Sequence, residues 1–209
     1  MKKLSGALII VLMALVVVSC NSGPGKKLKE AKEQASDIGN IVKNLDNLEE
    51  KTKDNSARVE ELKKITPFTN EKMTGWMPEE LNGMKRASYS VSSAIGTSQC
   101  DLRFENEAKD KSITVTIIDG AGEVGSNFYS SQVLMMETLK NMSSESDDKT
   151  EKVVKRNGSL TYETYYKSEN RSYIQVVMED RFIVSVDAQG MNPDETWAAV
   201  EKINFKGLI

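Results

Sequence analysis

The feature that most constrains the fold is a run of four short alternating segments, spaced evenly between residues 151 and 188. They are separated by the turn sequences Asn157-Gly158, "SEN" at 168–170 and Glu179-Asp180. Alternation of apolar and polar residues is typical of half-buried strands, and Asn-Gly is a strong signal for a two-residue hairpin. The region is therefore predicted to be a four-stranded antiparallel meander.

Three further strands and two helices complete the predicted domain. The strands are expected at 85–94, 98–106 and 112–119, and a helix at about 126–141 follows them. Asn192, Pro193 and Glu195 form a helix start with a capping box, and Trp197, Val200 and Ile203 lie along the apolar side of that last helix. The order β-β-β-α-β-β-β-β-α predicts an α+β fold, with an antiparallel sheet of about seven strands and both helices packed on one side.

The N-terminus has the layout of an export signal. Lys2 and Lys3 precede an uncharged stretch from Ala7 to Val18, which is too short to span a bilayer as a helix. The sequence "VVSC" that ends at Cys20 resembles the lipobox of bacterial lipoproteins. That resemblance implies removal of residues 1–19, diacylglycerol on the Cys20 sulfur and acylation of the new amine, for example by palmitate. Two or three acyl chains are enough for stable membrane anchoring.

The segment between the anchor and the domain is predicted to be a tether and a helical stalk. Residues 20–25 are rich in Gly, Ser and Pro, which is typical of a flexible linker. Residues 26–65 carry apolar positions at heptad spacing, and the register slips near residue 48. This stripe fits a coiled-coil-like stalk with weak self-association through residues 28–62, or a segment that folds back as a hairpin or packs on the domain. The stalk ends before Pro67, so the α+β domain is expected to span 67–209.

Composition excludes several classes of function. The chain has no histidine, which removes Ser-His-Asp and Cys-His catalysis and the zinc sites that require a histidine ligand. The formal net charge is −3 and aromatic residues make up 6%, so nucleic acid is not an expected partner. With Cys20 lipidated, Cys100 has no partner for an internal disulfide. It is interpreted as a buried small apolar residue, with a reactive thiol or an intermolecular disulfide as the alternatives.

Four patterns resemble functional motifs without the context that those motifs need. Gly120, Gly122 and Gly125 match a dinucleotide-binding fingerprint, but an antiparallel meander follows instead of a βαβ unit. The spacing of Ser146 and Lys149 matches the S-x-x-K of penicillin-binding enzymes without its companion motifs. The other two patterns are an acidic loop and an aromatic set, and they are interpreted as a solvated loop and as cross-strand packing: Glu145, Asp147, Asp148; Tyr162, Tyr165, Tyr166, Tyr173, Trp197. No catalytic residue, cofactor or metal site is predicted.

The domain itself resembles one group of proteins. The sequences "WMPEELNGMKR", "ITVTIID" and "RFIVSVD" resemble those of a family of uncharacterised bacterial lipoproteins, and the layout over roughly 75–205 is loosely similar to the Mog1/PsbP-like α+β fold. The resemblance implies a fold and a cell-envelope location, and it carries no catalytic residues.

These observations predict a non-enzymatic lipoprotein of the bacterial cell envelope, held to a membrane by the lipid on Cys20. Asn21 follows the lipidated residue in place of the aspartate that retains enteric lipoproteins in the inner membrane, so we expect the outer membrane, with the domain facing the periplasm. The domain is expected to bind an envelope protein or another envelope component. The alternatives are a periplasmic carrier or sensor of a small or apolar ligand, and thirdly a carboxylate-based hydrolase.

Overall fold

The structure is a computed structural model that describes residues 54–93 and 96–209, all within one compact unit, Leu48–Ile209. Four α-helices occur in these residues, followed by a short 3-10 turn, Phe205–Gly207. The helices are α1 (54–63), α2 (Asn70–Trp76), α3 (Gly122–Leu139) and α4 (Pro193–Val200).

A single antiparallel sheet of nine strands organises the described residues. The strands are β1 (Glu80–Leu81), β2 (Met84–Ser92), β3 (Gln99–Glu105), β4 (Ser112–Asp119), β5 (Ser143–Glu145), β6 (Lys149–Arg156), β7 (Ser159–Tyr166), β8 (Arg171–Met178) and β9 (Phe182–Gln189). Their spatial order is β1-β2-β3-β4-β9-β8-β7-β6-β5. Two meanders therefore meet where β4 pairs with β9, and α3 carries the chain from the end of β4 toward β5 at the far edge.

The turns and the last helix confirm the local predictions. Asn157 and Gly158 both have positive φ, at 48° and 87°, as the hairpin between β6 and β7 requires. Asn192 accepts hydrogen bonds from the backbone N–H groups of Asp194 and Glu195, and Glu195 accepts one from the backbone N–H of Asn192. The four strands of the predicted meander and the predicted helix from Pro193 form as expected.

Helices pack on both faces of the sheet, which corrects one prediction. The larger core lies on one face, where Trp197 of α4 packs with β-strand residues such as Val184 and Val186. On the opposite face Tyr129 of α3 and Leu62 of α1 pack against Ile183. Because Ile183 and Val184 are neighbours in a strand, they point to opposite faces. The predicted helices α3 and α4 thus lie on opposite sides of the sheet, and the expectation that both pack on one side is wrong.

The predicted strand number is also wrong, because the sheet has nine strands and not about seven. The two additional strands, β1 and β5, have two and three residues, too few to show an alternation in the sequence. Helix α2 was likewise not predicted. Thr69 caps it by accepting a hydrogen bond from the backbone N–H of Lys72, and only Met73 of its seven residues is buried.

Helix α1 belongs to the segment that the sequence predicts as a stalk. Leu62 is fully buried against the domain, and Asn55 donates a hydrogen bond to Ser130 of α3 at 2.9 Å. Residues 1–53, which hold the predicted signal peptide, Cys20, the tether and most of the stalk, lie outside the described residues. None of the helices in 54–93 and 96–209 is long and apolar enough to cross a bilayer.

Candidate functional site

The most unusual surface of the domain is the part of the sheet that α1 and α3 leave open. Directly opposed residues of antiparallel strands point to the same face, so the registers define rows across the sheet. One row crosses seven strands and consists entirely of polar residues: Ser88, Arg103, Thr114, Asp187, Tyr173, Thr164 and Glu151. Six of these seven residues are exposed or half-buried, and Thr164 is buried between its neighbours.

The two rows beside it on the same face are polar as well, except that buried Val153 of β6 ends one of them opposite Tyr162. We call the three rows together the polar face; its other members are Lys85, Glu105, Ser112, Gln189, Arg171, Tyr166 and Lys149 in one row, and Ser90, Asp101, Thr116, Ser185, Gln175 and Tyr162 in the other. The next row contains Ile118, Ile183 and Val177, which pack beneath α1 and α3. The polar face therefore begins where the helices stop covering the sheet.

Two tyrosines and a carboxylate form a fixed cluster on strands β6 to β8. The rings of Tyr162 and Tyr173 meet edge to face at 6.4 Å between centroids. Tyr162 donates its hydroxyl proton to Glu151 at 2.9 Å, and the Lys149 ammonium lies 2.9 Å from the other oxygen of Glu151. The hydrogen bond from Lys149, followed by that from Tyr162, lowers the pKa of Glu151 below its usual range. Glu151 therefore stays ionised near neutral pH and holds the Tyr162 ring in place.

Arg171 links the third tyrosine to the centre of the face. Its guanidinium donates two hydrogen bonds to Asp187, at 3.0 Å and 2.5 Å, and lies 5.5 Å from the ring centroid of Tyr166. The hydrogen bond to Asp187 raises the pKa of Arg171 further above its ordinary value. A bidentate pair of this kind fixes both side chains, which lowers the entropic cost of using them in recognition.

Asp101, near the β2 edge, is held by neutral donors. Thr116 donates to one carboxylate oxygen at 2.6 Å and Ser90 donates to the other at 3.1 Å, while the amide of Gln99 lies 3.1 Å and 3.3 Å from the two oxygens. No cation among the described residues pairs with Asp101. Its negative charge is consequently the least compensated on the polar face.

Charges on the polar face balance. It holds four cations and four anions: Lys85, Arg103, Lys149 and Arg171; Asp101, Glu105, Glu151 and Asp187. Three of the anions form ion pairs with cations of the same face, Glu105 with Arg103, Glu151 with Lys149 and Asp187 with Arg171. A surface with balanced and interspersed charges does not attract a polyanion over long range. A nucleic-acid-binding surface, in contrast, carries a basic stripe.

The three glycines of the fingerprint-like motif serve close packing. A Cβ on Gly120 would lie 2.4 Å from the Arg181 carbonyl oxygen, and one on Gly125 would lie 2.4 Å from the Asp119 carbonyl oxygen. Gly122 has φ +76°, and a Cβ there would lie 2.9 Å from the Pro67 ring. The space that a pyrophosphate would need in such a loop is filled by the chain itself.

The other motif residues are also accounted for by local contacts. Ser146 and Lys149 close the turn between β5 and β6 through their backbone groups and the Ser146 hydroxyl, while the Lys149 ammonium binds Glu151. Glu145 pairs with Lys167 at 2.8 Å. Across 54–93 and 96–209, no cluster of three or more cysteine or acidic side chains is arranged to hold a metal ion.

The aromatic set from the sequence divides between the two faces. Tyr162, Tyr166 and Tyr173 lie on the polar face, whereas Tyr165 and Trp197 lie on the opposite one. Cys100 is fully buried on that opposite face, and burial raises the pKa of its thiol to about 12. Alternation alone identifies Thr114 and Thr116 as outward-facing. The sequence does not identify Asp101, Arg171 and Asp187 as members of one surface, because no signal in it shows that β4 pairs with β9.

A cleft of about 380 Å³ lies elsewhere, lined by residues 67–71, 93 and 96–98. Several of its polar groups are already engaged. Thr69 caps α2, Thr97 donates to the Asp119 carbonyl oxygen at 2.8 Å, and Ser98 donates to the Phe68 carbonyl oxygen. No residue of α3 lines this cleft.

No family model, no curated protein and no solved structure matches this chain.

Proposed function

We propose that this protein is a non-enzymatic, lipid-anchored protein of the bacterial cell envelope, and that its domain binds an envelope protein or another polar envelope component through the polar face. The observation that carries the proposal is the unbroken polar row from Ser88 to Glu151 across seven strands, with Tyr173 in the row and Tyr162 and Tyr166 held in fixed positions beside it. Tyrosine and arginine are among the residues that most often dominate protein recognition surfaces.

The side chains of the polar face are organised before a partner arrives. Tyr162 is fixed by Glu151 and Tyr173, and Tyr166 is fixed by Arg171. Ordering a flexible side chain on binding costs roughly 0.5–1.5 kcal/mol, so a surface that is already ordered retains more of its contact energy. This supports recognition over the simpler role of a solvated sheet face, for which such contacts are not needed.

The balance of charges indicates the chemistry of the partner. Each end of the polar face presents both a cation and an anion, and the tyrosine rings offer apolar area with a hydroxyl at the rim. Such a surface suits a partner that is polar, neutral overall and rich in hydrogen-bonding groups, such as a protein surface or a sugar polymer of the envelope. Nucleic acid is a poor fit, since phosphate binding needs an excess of cations.

An enzyme is the weaker interpretation because four acids of the polar face and the core are bound to cations. Asp187 and Glu151 are bound to cations, and buried Asp119 and Glu163 are bound to Arg181 and Arg156. A carboxylate-based hydrolase needs one carboxyl group with a raised pKa beside a second, ionised one. None of the carboxyl groups with a resolved shift has its pKa raised.

The membrane part of the proposal depends on Cys20. An acylated Cys20 would hold the protein to the bilayer, and the predicted tether of residues 20–25 and stalk of residues 26–65 would carry the domain away from the membrane toward a partner. On this view the protein resides in the outer membrane and faces the periplasm. Replacing Cys20 by alanine removes the acylated sulfur and should release the protein from the membrane fraction.

Site-specific photo-crosslinking in intact cells tests the proposal. A photoreactive phenylalanine analogue replaces Tyr166 on the polar face in one strain and Phe128 on α3 in another, because Phe128 is an exposed aromatic residue outside the face. We expect a discrete crosslinked partner at position 166 and none at 128. Equal labelling at both positions, or none at 166, would contradict binding through the polar face. Mass spectrometry of the same protein reports the acyl chains on Cys20, so that the anchor and the binding surface can fail independently.

A further inference from the structure

We propose that the outer edge of β2 pairs with the same edge of a second copy of this chain, in antiparallel register, to form a two-fold symmetric dimer. Strand β2 has nine residues, but β1 pairs only with Met84 and Lys85. Among the described residues no strand pairs with the outer side of residues 87–91, which we call the open edge. Every second residue of an edge strand directs its N–H and C=O away from the sheet, where another strand can accept them.

The open edge lacks two of the devices that normally prevent strand addition, and a β-bulge between Arg86 and Ser88 lies only at its start. Its sequence is Ala-Ser-Tyr-Ser-Val, without a charged residue or a proline. Proteins usually protect long edges with charges, prolines or very short strands. The opposite edge shows such protection: β5 has three residues, and beyond it the Val153 N–H of β6 already donates to the Met142 carbonyl oxygen. The two edges of one sheet therefore differ, and β2 is the one suited to pairing.

The open edge is complementary to itself. A two-fold axis at Tyr89 places Ser88 opposite Ser90 of the second copy and Ser90 opposite Ser88, whereas Ala87 lies in the β-bulge and is left out of this register. No like charges meet, and the two Tyr89 side chains form a cross-strand aromatic pair. Tyr89 is 52% exposed, and its ring is held by the guanidinium of Arg86, which lies 5.3 Å from the ring centroid. Arg86 is itself anchored to the carbonyl oxygens of Met77 and Pro78.

Pairing would join two polar faces into one surface. Ser88 and Ser90 end two of the three polar rows at β2, so the rows of one copy continue into those of the second. This consequence rests on the function proposed above, whereas the pairing itself does not. A contact of three residue pairs is far smaller than the roughly 1,200–2,000 Å² that stable interfaces bury, so we expect reversible association that covalent capture reveals.

Disulfide capture of the full chain in detergent tests the pairing. In Tyr89→Cys the two thiols would lie on the two-fold axis, where the Cα–Cα distance of about 4.5–5.5 Å between directly opposed residues suits a disulfide. The matched control is Phe128→Cys, whose position is 51% exposed on α3. The wild-type chain reports any dimer formed through Cys20 or the buried Cys100. We expect disulfide-linked dimer for Tyr89→Cys only, and equal yields for both variants would overturn the proposal.

Charge substitutions on the Tyr89→Cys background test the register. Ser88→Glu with Ser90→Lys places opposite charges across the axis, and within each copy Glu and Lys face Arg103 and Asp101. Ser88→Lys with Ser90→Lys places like charges across the axis and should lower the dimer yield about tenfold, because each like-charged pair is destabilising by roughly 0.2–1 kcal/mol. Equal yields from the two double variants would overturn the register. Capture of a different polypeptide in place of a second copy would show that the edge takes a foreign strand and would overturn the dimer.

Discussion

Arg181 and Asp119 form a bidentate ion pair that joins the start of β9 to the end of β4. Nε of Arg181 lies 2.6 Å from Oδ1 of Asp119, and a terminal nitrogen lies 2.8 Å from Oδ2. The backbone N–H groups of Phe68 and Ala121 donate to the same carboxylate at 3.1 Å and 3.0 Å, and the Phe68 ring covers the guanidinium at 4.1 Å. Four segments of the chain converge on one fully buried carboxylate.

Removing the arginine from this pair should cost much of the stability of the domain. In Arg181→Ala the Asp119 carboxylate keeps only two backbone donors, and an uncompensated buried charge costs about 3–5 kcal/mol. The matched control is Arg171→Ala, which breaks a half-exposed pair with Asp187 worth about 0–1 kcal/mol. Urea unfolding followed by circular dichroism measures both free energies. Similar losses in the two variants would show that the Asp119 pair does not stabilise the fold.

The packing role of the motif glycines predicts opposite effects at two positions. In Gly125→Ala the new Cβ would lie 2.4 Å from the Asp119 carbonyl oxygen, so the start of α3 must shift and stability should fall by more than about 1 kcal/mol. At Gly75 in α2, no atom lies within 4 Å of the position that a Cβ would occupy. Gly75→Ala should therefore raise stability by up to about 1 kcal/mol through helix propensity.

Thermal unfolding of the two glycine variants separates packing from cofactor binding. A dinucleotide site would make Gly125→Ala lose ligand binding while the unfolded fraction at each temperature stayed the same. The packing explanation requires the melting temperature of Gly125→Ala to fall and that of Gly75→Ala to stay or rise. An unchanged melting temperature in Gly125→Ala would contradict it.

The strands were predictable where local signals agree, and the layering was not. In β6 to β9 the alternation and the tight turns both predict antiparallel hairpins, and both signals lie within a few residues of each other in the sequence. The side on which each helix packs depends on contacts between distant segments. One local signal was available: Phe182, Ile183 and Val184 are consecutive apolar residues, which is typical of a strand buried on both faces.

The polar face was predictable only in part for the same reason. The alternation in β4 shows that Thr114 and Thr116 point away from the core. The register that puts Thr114 opposite Asp187 joins residues more than seventy positions apart, and neither segment encodes its partner. Likewise the sequence does not distinguish a solvated face from one ordered by contacts such as those of Tyr162 with Glu151.

A substitution in the hairpin between β8 and β9 should raise the thermal stability of the domain. Glu179 and Asp180 both adopt positive φ, at 52° and 46°, a conformation that costs a non-glycine residue roughly 1 kcal/mol. Asp180→Gly is expected to raise the melting temperature by about 3 °C, since 1 kcal/mol corresponds to a few degrees in a domain of this size. The bond from Arg58 is retained because it goes to the backbone oxygen of residue 180.

The equivalent hairpin between β6 and β7 provides the reverse control for this turn. Gly158 has φ +87° and no atom within 4 Å of a Cβ position, so Gly158→Ala changes the backbone preference alone. It should lower the melting temperature by a similar amount. If both substitutions shift the melting temperature in the same direction, the left-handed conformation is not what limits the stability of these turns.

Thiol reactivity tests the burial of Cys100 and the modification of Cys20 in one measurement. With a pKa of about 12, the Cys100 thiol is ionised in only about one molecule in ten thousand at pH 8, and its side chain has no exposed surface. The thiolate population rises tenfold with each pH unit below that pKa, yet access still requires the core to open.

A lipidated Cys20 has its sulfur in a thioether and cannot react. We therefore expect Ellman's reagent to detect no thiol in the folded mature protein and one thiol in denaturant. One reactive thiol in the folded state would contradict this, and its loss in Cys100→Ser would identify Cys100 as exposed. Persistence in Cys100→Ser would identify an unmodified Cys20.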